Sequence, residues 1–372
     1  MINIKEKKNC CGCSACYSIC PKNCISMEED NEGFRYPKID EEKCIKCGLC
    51  LRICPILSKK KTEENQIKTY AAINKNEETR LKSSSGGLFT AFAEYVLEQG
   101  GVVFGAGFNE NFVVCHQACQ TIEDLEKLRK SKYVQSVIGN TFKQAKDLLD
   151  QNRLVYFSGT PCQIAGLKSY LKKDYPNLIA QDLICLGVPS PLVWKKYLEM
   201  KTNEAKLKPA SVCFRDKATG WKTYSFTIKF KKENNQEEVY TKSRYNEPYM
   251  NMFLYGKILR PSCYSCSFKG TNRVSDITLA DFWGDKLKKI APEMSDKKGC
   301  SLVIVHSKKG EEAFRQISDK IKFVEALPKD ALKANPMVRK TAYKSPRRNS
   351  AMKNLSRLPF KKFVKKYGKV LI

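Results

Sequence analysis

The chain has 372 residues, of which 42% are hydrophobic and 28% are charged, and its formal net charge is +28. This composition is typical of a globular protein of two or three domains, without the run of roughly 18 apolar residues that a membrane-spanning helix needs. The basic residues are spread along the chain without a recognised nucleic-acid-binding motif, which argues against nucleic acid as a partner. Their surplus favours an acidic redox protein or an anionic membrane surface, or it reflects only lysine-rich residue usage.

Two cysteine-rich segments near the N-terminus share one spacing. The first set is separated by two, two and three residues and ends before a proline, and the same pattern recurs 34 positions later. In such motifs three cysteines bind one iron–sulfur cube, whereas the fourth points to the other cube. We therefore predict two [4Fe–4S] clusters, one on Cys10, Cys13, Cys16 and Cys54 and the other on Cys20, Cys44, Cys47 and Cys50.

Two other uses of these cysteines fit less well. A zinc site needs two cysteine pairs and has no use for a third cysteine at the next step or for the trailing Cys-Pro. A disulfide framework would suit an exported protein, but residues 1–9 are lysine-rich and lack an apolar core. We therefore expect a cytoplasmic protein with metal-bound thiolates. The motif resembles that of the bacterial two-cluster ferredoxins, and Cys11 and Cys24 fall outside it as spare thiols.

The sequence predicts an α+β fold that begins with a ferredoxin-like module at residues 1–57. Short strands are expected at 24–27 and 34–37, and the polar segment 58–66 is predicted to be a linker. Alternating strands and helices predict an α/β region at 67–185. The strands are expected at 68–73, 102–106, 153–157 and 178–184, and the helices at 88–99, 121–129, 139–150 and 164–171.

Residues 186–340 change in character. Antiparallel strands are expected at 211–215, 223–230 and 238–241, followed by a helix at 247–255, a loop at 260–284, a strand at 302–306 and a helix at 309–318. Residues 341–372 form a basic tail, in which four apolar residues recur at helical spacing: Phe360, Phe363, Val364 and Tyr367. This stripe predicts a helix that packs on its own domain or makes a peripheral membrane contact.

Four further cysteines lie at loop positions after predicted strands: Cys162, Cys185, Cys263 and Cys266. A C-x2-C pair with two distant single cysteines is enough for a third [4Fe–4S] cluster. From the spacing alone, buried thiols or a redox pair are equally compatible. Cys213, in the middle of a predicted strand, is the main rival as a ligand.

Seven sequence blocks occur in an order that resembles the coenzyme F420 hydrogenase/dehydrogenase beta-subunit family. They are SSSGGLFTA, SKYVQS, GTPCQIAGL, ICLGVPSP, FRDKATGW, RPSCYSCSFKG and SDITLADFWG. The resemblance implies a flavin (FAD) site in the body of the protein. It also implies a third iron–sulfur cluster there, with Cys162, Cys185, Cys263 and Cys266 as its ligands.

Two of these blocks are candidates for binding FAD. Ser85, Gly86 and Gly87 offer small side chains and amides before a predicted helix, where a phosphate is favoured, although an ordinary helix start has the same pattern. Ser131, Lys132 and Tyr133 supply a hydroxyl, a charge and an aromatic ring, and Lys132 is a candidate to face the diphosphate or the flavin. Trp221 could cover a flavin ring or pack in the core. Asp276, Asp281 and Trp283 could orient the cysteine loop or act as turn residues.

These features predict an iron–sulfur flavoprotein oxidoreductase. It would pass electrons between a ferredoxin-type one-electron carrier and a two-electron organic substrate at FAD. The alternative is an electron-transfer subunit of a larger redox complex with no substrate of its own, including a coenzyme F420-oxidising beta subunit. In that case its partner would be a catalytic subunit. The catalytic residues and the identity of the substrate do not follow from the sequence.

Overall fold

The computed structural model describes residues 1–58 and 66–369. The N-terminal module is built on a hairpin of β1 (Ile25–Glu29) and β2 (Arg35–Ile39), which pair antiparallel. Two short helices, α1 (Ala15–Ile19) and α2 (Leu49–Arg52), carry the third cysteine of each motif and pack against each other. The ferredoxin-like module is therefore confirmed, whereas residues 59–65 of the predicted linker lie outside the described part of the chain.

A mixed sheet of eight strands forms the centre of the body. Its strand order is β13-β3-β12-β11-β7-β6-β4-β5, in which β4, β6, β7 and β11 run parallel and the remaining neighbours pair antiparallel. The strands are β3 (Lys68–Asn74), β4 (Val102–Phe108), β5 (Val114–Cys119), β6 (Val155–Ser158), β7 (Leu178–Leu183), β11 (Ile277–Asp281), β12 (Ser301–Val305) and β13 (Ile321–Ala326). Strands from both predicted halves of the body thus share one sheet.

Helices cover this sheet because their apolar faces need a partner. On the N-terminal side of the body they are α3 (Glu77–Lys82), α4 (Leu88–Glu98), α5 (Thr141–Asp150) and α6 (Pro161–Leu171). Further along the chain they are α9 (Lys286–Ile290), α10 (Lys308–Gln316) and α11 (Pro328–Lys333). Helix α4 buries Leu88, Phe92 and Val96, so the helical spacing seen in the sequence corresponds to a buried face.

A second sheet has the order β10-β9-β8 and is antiparallel throughout. It consists of β8 (Lys208–Asp216), β9 (Ser225–Lys231) and β10 (Glu237–Ser243). Its core is shared with α7 (Pro191–Ala205), α8 (Pro248–Leu254), α12 (Arg348–Asn354) and α13 (Phe360–Tyr367). In α13, Phe363 and Tyr367 are fully buried, so the apolar stripe of the tail packs on its own domain. Among the described residues, no helix is long and apolar enough to cross a membrane.

Two predictions about elements were wrong, and one long helix was not predicted. The helix expected at 121–129 is only a 3-10 turn, Asp124–Lys127. The segment 260–284, expected to be a loop, contains strand β11. Thr278 in this strand is buried and hydrogen-bonds to Asp182, and such a polar residue is not recognisable in the sequence as part of a core strand. Helix α7 was missed, although Ser190 caps it and Pro191 opens it, a recognisable start signal.

Candidate functional site

Site I is a cavity of about 340 Å³ in the N-terminal module. It is lined by the four predicted ligands of one cluster: Cys10, Cys13, Cys16 and Cys54. Gly12 and Ser14 adopt left-handed backbone conformations between these cysteines, which turns successive thiols toward one point. Burial, with Cys10 and Cys54 nearby, raises the pKa of Cys16 to about 12. Burial here favours the neutral thiol, so a thiolate at Cys16 would need a positive partner.

Site II is the equivalent cavity of about 380 Å³, lined by Cys20, Cys44, Cys47 and Cys50. Cys24 also lines it, and its sulfur lies 3.3 Å from that of Cys20. Site II is close to solvent, since Cys47 is exposed and the neighbouring Ile45 is 57% exposed. The spacing argument and the geometry thus group the eight cysteines in the same way.

Site III lies between the module and the body, in a cavity of about 890 Å³. Its walls include the four distant cysteines Cys162, Cys185, Cys263 and Cys266. Cys162 starts helix α6, Cys185 follows strand β7, and the other two belong to the 3-10 turn Pro261–Ser265 and the residue after it. Burial, with Cys162 nearby, raises the pKa of Cys185 to about 12. The rival ligand Cys213 lies on β8 opposite Thr227 and does not line this cavity.

Cys11 links sites I and III, a role that the sequence did not reveal. Its buried thiol lies close to Cys13 of site I and to Cys162 of site III, and it lines the cavities of both sites. The Gln135 side chain donates to its carbonyl oxygen at 3.2 Å. The one sequence feature that could have indicated this position is that Cys11 directly follows Cys10, a predicted ligand of site I.

Thiol groups for a cube are arranged more widely than the ligands of one ion. Nowhere in residues 1–58 or 66–369 do three or more His, Cys, Asp or Glu side chains converge closely enough to hold a single metal ion. In a [4Fe–4S] cluster each thiolate binds a separate iron corner. Sites I, II and III each bring four of the predicted ligand cysteines to one space, which is the number and type of ligand that a cube uses.

A large open cavity lies at the carboxyl ends of the parallel strands. Its wall includes Ser158 at the end of β6, Leu183 at the end of β7 and Asp281 at the end of β11. Ligands of α/β proteins commonly bind in this position. Cys185 also lines the cavity, so this large cavity and site III adjoin each other.

Five of the six predicted FAD-binding residues line the large cavity: Ser85, Gly87, Ser131, Lys132 and Tyr133. Gly86 does not, because its amide donates to the Ser301 hydroxyl at 3.0 Å and its backbone packs against strands β3 and β12. A Cβ at position 86 would lie 2.5 Å from the Ala72 carbonyl oxygen, so glycine is required there for packing. The serine–glycine segment thus places the start of α4 at the cavity.

The wall of the large cavity is strongly basic. Its cationic side chains are Arg129, Lys130, Lys132, Arg215 and Arg244. Asp281 is the one carboxylate among the described residues of the wall, and Arg215 donates to it at 2.7 Å. The amine of Lys132 contacts the carbonyl oxygens of Lys127 and Arg129, and burial lowers the pKa of Lys132 to about 7. Such a wall favours an anionic ligand.

His116 is a further cavity residue that sequence analysis missed. Its Nε2 lies 3.0 Å from the Ser158 carbonyl oxygen, which can only accept, so this nitrogen carries the proton. Its Nδ1 therefore accepts from the Ser136 hydroxyl, which in turn accepts from Gln163 at 2.9 Å. Burial lowers the pKa of His116 to about 4, so the ring is neutral at pH 7. It had no partner pattern in the sequence because its partners are distant in the chain.

The remaining candidates have structural positions. The Trp221 ring stacks on Trp283 with ring centroids 4.7 Å apart, and its Nε1 donates to Asp281 at 2.9 Å. Trp283 lines the cavity, whereas Trp221 is packed behind it. Asp276 accepts from the Ala180 amide and from Ser307, each at 2.8 Å, and so joins β7 to the start of α10.

Family models match most of the chain. Residues 9–57 match a 4Fe-4S dicluster domain, so the N-terminal module is an iron–sulfur domain of the two-cluster type. Residues 69–142 and 152–330 match the N-terminal and C-terminal parts of the beta subunit of coenzyme F420 hydrogenase/dehydrogenase. The chain belongs to this beta-subunit family, carries a fused dicluster domain and is a redox protein.

The remaining comparisons add little. No curated protein matches the chain. Among solved structures, a chain of the F420-reducing [NiFe] hydrogenase complex from Methanosarcina barkeri is similar, with 18% sequence identity and a TM-score of 0.47. The alignment covers 82% of this chain and 90% of that chain.

Proposed function

We propose that this protein is the electron-transferring subunit of a redox complex. It would connect a flavin in the large cavity to a partner through three [4Fe–4S] clusters. The observation that carries this proposal is the sharing of residues between neighbouring sites. Cys185 belongs to the walls of both the large cavity and site III, and Cys11 belongs to the walls of sites III and I. Cys16 of site I packs in one cluster with Cys50 of site II, so the four spaces form a continuous series.

The large cavity suits FAD by position and charge. Its wall carries five basic side chains, of which Arg215 is already paired with Asp281, and it includes Ser85 and Gly87 at the start of helix α4. A bound flavin would supply the exchange of one hydride for two single electrons. The chain's own residues would hold it: Arg129, Lys130 and Lys132 by charge, and Tyr133 and Trp283 by ring contact. Neutral His116 would donate no proton of its own at pH 7, because its Nε2–H is held by Ser158.

Site II is the proposed outlet to a one-electron partner. It is the cluster site with an exposed cysteine, Cys47, and an exposed apolar neighbour, Ile45. The basic side chains Lys22 and Lys46 also line this site, which favours an acidic protein such as a ferredoxin or an acidic face of a catalytic subunit.

Anaerobic purification with iron, sulfide and flavin analysis tests the scheme. The expected result is about twelve irons and one FAD per chain. A Cys185→Ser variant should lose about four irons, while Cys213→Ser, its matched control on β8, should lose none. Eight irons in the unaltered chain, or equal losses in both variants, would contradict a cluster at site III.

A second candidate function is a reductase with a substrate of its own. The observation that favours it is the size of the large cavity. Its wall is formed by many segments of the chain between Ser83 and Met337, and it includes the basic residue Arg244. Reduction of an organic anion by the purified chain and a reduced ferredoxin, without any added subunit, would establish this function. Turnover only after addition of a catalytic subunit would establish the first.

A further inference from the structure

We propose that Arg260, a residue of the body, raises the reduction potential of the cluster at site I in the N-terminal module. The potential of this cluster would then depend on the docking of the module against the body. The inference rests on the two-cluster module alone. It does not require a flavin in the large cavity or a cluster at site III, so it can fail or succeed independently of the proposed function.

Among the residues that the structure describes, Arg260 is the largest fully buried side chain. Its Nε donates to the Cys10 carbonyl oxygen at 2.8 Å, and its two terminal nitrogens donate to the Gln135 side chain at 3.0 Å and the Arg35 carbonyl oxygen at 2.9 Å. One terminal nitrogen also lies 3.5 Å from the Cys10 sulfur. None of these partners, in the part of the chain that the structure describes, is a carboxylate.

A buried arginine without a carboxylate needs another counter-charge, because the cost of removing an ion from water is several kcal/mol. The Cys10 sulfur of site I is the ligand sulfur in direct contact with it, and Cys263 of site III also lies close enough to interact. A [4Fe–4S] core of charge +2 held by four thiolates carries about −2, and reduction makes it more negative by one. A fixed guanidinium therefore stabilises the reduced cluster more than the oxidised one. An N–H donor to a cluster sulfur acts in the same direction.

The guanidinium has little freedom to move away. Its carbon lies 4.3 Å from the centre of the Tyr36 ring and 5.5 Å from that of Phe34. On the other side, a Cβ at Gly12 would lie 2.9 Å from an Arg260 nitrogen and 2.7 Å from Gln135, so only glycine admits this approach. The module thus supplies a pocket that fits one arginine of the body.

The same arginine belongs to the loop of site III. Its amide donates to the Val188 carbonyl oxygen at 3.0 Å, and its own carbonyl oxygen accepts from the Cys263 amide at 2.9 Å. The backbone of Arg260 therefore supports the cysteine loop of the body, while its side chain reaches the cluster of the module. An electron at site I is stabilised only when this loop is in place.

The proposal is tested by a redox titration of the full chain in which electron paramagnetic resonance measures the reduced fraction of each cluster. The signal of site II is identified by its change in Cys47→Ser. Arg260→Met should lower the potential of site I, so that at a fixed applied potential the ratio of reduced to oxidised cluster falls about tenfold, equivalent to about 59 mV. Arg52→Met is the matched control. Arg52 donates to the Cys47 carbonyl oxygen at site II and should leave site I unchanged.

Gln135→Glu provides an independent variant if Arg260→Met loses its cluster. The new carboxylate would lie about where the amide oxygen now accepts from Arg260, neutralising the arginine without removing it. It should also lower the potential of site I. The proposal is overturned if either variant keeps its full iron content and an unchanged potential at site I.

Discussion

Gly166 of helix α6 lies directly against Cys13 of site I. A Cβ built on Gly166 would be 2.8 Å from the Cys13 Cβ and 3.1 Å from its sulfur, distances that real Cβ atoms avoid. The same helix begins with Pro161 and Cys162. Helix α6 therefore carries a cysteine of site III in its first turn and contacts site I one turn later, at Gly166. The absence of a side chain at position 166 therefore allows Cys13 of site I to pack directly on the helix that carries Cys162 of site III.

We expect Gly166→Ala to displace Cys13 and to lower the iron content by up to four atoms per chain, with site II retained. Alanine is otherwise favoured over glycine in a helix, so a loss cannot come from helix propensity. Iron analysis and the resonance signals of the reduced protein measure the effect. Gly105→Ala is the control, because its new Cβ would meet its nearest neighbour at 3.5 Å, an ordinary contact. Full iron at site I in Gly166→Ala would refute the prediction.

Gly187 offers a parallel test at site III. It has φ +141°, which L-residues rarely adopt, and a Cβ there would lie 3.1 Å from the Cys263 Cβ and 2.9 Å from Leu259. Gly187→Ala should therefore disturb site III and leave the module intact, so about eight irons should remain. If this variant instead lost iron from site I, the two sites would not be independently assembled.

FAD binding should weaken as the pH rises through 7. Burial lowers the pKa of Lys132 to about 7, and an anionic diphosphate beside it would favour the charged amine, so binding would take up a proton. The dissociation constant should rise above pH 7 by up to tenfold per pH unit. Titration of the flavin-free protein with FAD at several pH values measures this slope. Lys132→Met should bind more weakly and show a flatter dependence. An equal slope in both proteins would assign the proton to another group.

The same pKa shift has a consequence for the flavin-free protein. In the unfolded chain the Lys132 amine keeps its proton up to its ordinary pKa of 10.5, whereas in the folded chain it loses it near 7. The unfolded state therefore binds more protons between these values, and this residue makes the free energy of unfolding rise with pH across that window.

The module should be held to the body by the ion pair of Glu32 and Arg348. The Arg348 guanidinium donates to both carboxylate oxygens of Glu32 and to the Leu259 carbonyl oxygen at 3.1 Å. The side chains are only 18% and 8% exposed. We expect Glu32→Gln or Arg348→Met to lower the free energy of unfolding by about 2 kcal/mol.

A double-mutant cycle tests this pair. Because each single change removes the same interaction, the double variant should lose less than the sum of the two single losses. Denaturant unfolding of the holoprotein provides the free energies. Strictly additive losses would mean that the pair contributes no coupling. Lys38 and Glu28, an exposed pair on the hairpin, are a suitable reference for which little loss is expected.

Features that depend on the spacing of neighbouring residues could be predicted from the sequence. Features that depend on contacts between residues far apart in the chain could not. The eight module cysteines follow from spacing alone, since short loops leave the thiols few other arrangements. Spacing alone left Cys162, Cys185, Cys263 and Cys266 compatible with a cluster, with buried thiols or with a redox pair, and the family resemblance favoured the cluster. The reason is that the sheet brings together loops that are far apart in the chain. Neither the burial of Arg260 nor its contact with Cys10 has a local signature, although it stands beside the Pro261-Ser262-Cys263 segment.

The FAD candidates illustrate the same limit. Small residues before a helix predicted an FAD phosphate site at Ser85, Gly86 and Gly87, and of these three Ser85 and Gly87 line the large cavity. Gly86 lies between them, yet its amide is bonded to Ser301, a strand residue 215 positions later. A pattern of glycines cannot tell an amide that faces a ligand from one that faces a neighbouring strand.

The distance in sequence between Glu32 and Arg348 also bears on how the protein is made. The two residues are 316 positions apart, so at 5 to 20 residues per second the ribosome would add Arg348 roughly 15 to 60 s after Glu32. During that interval the module would be exposed without its arginine partners from the body. Iron insertion into the nascent module, and its protection from oxygen, would therefore have to take place before the body can cover the module.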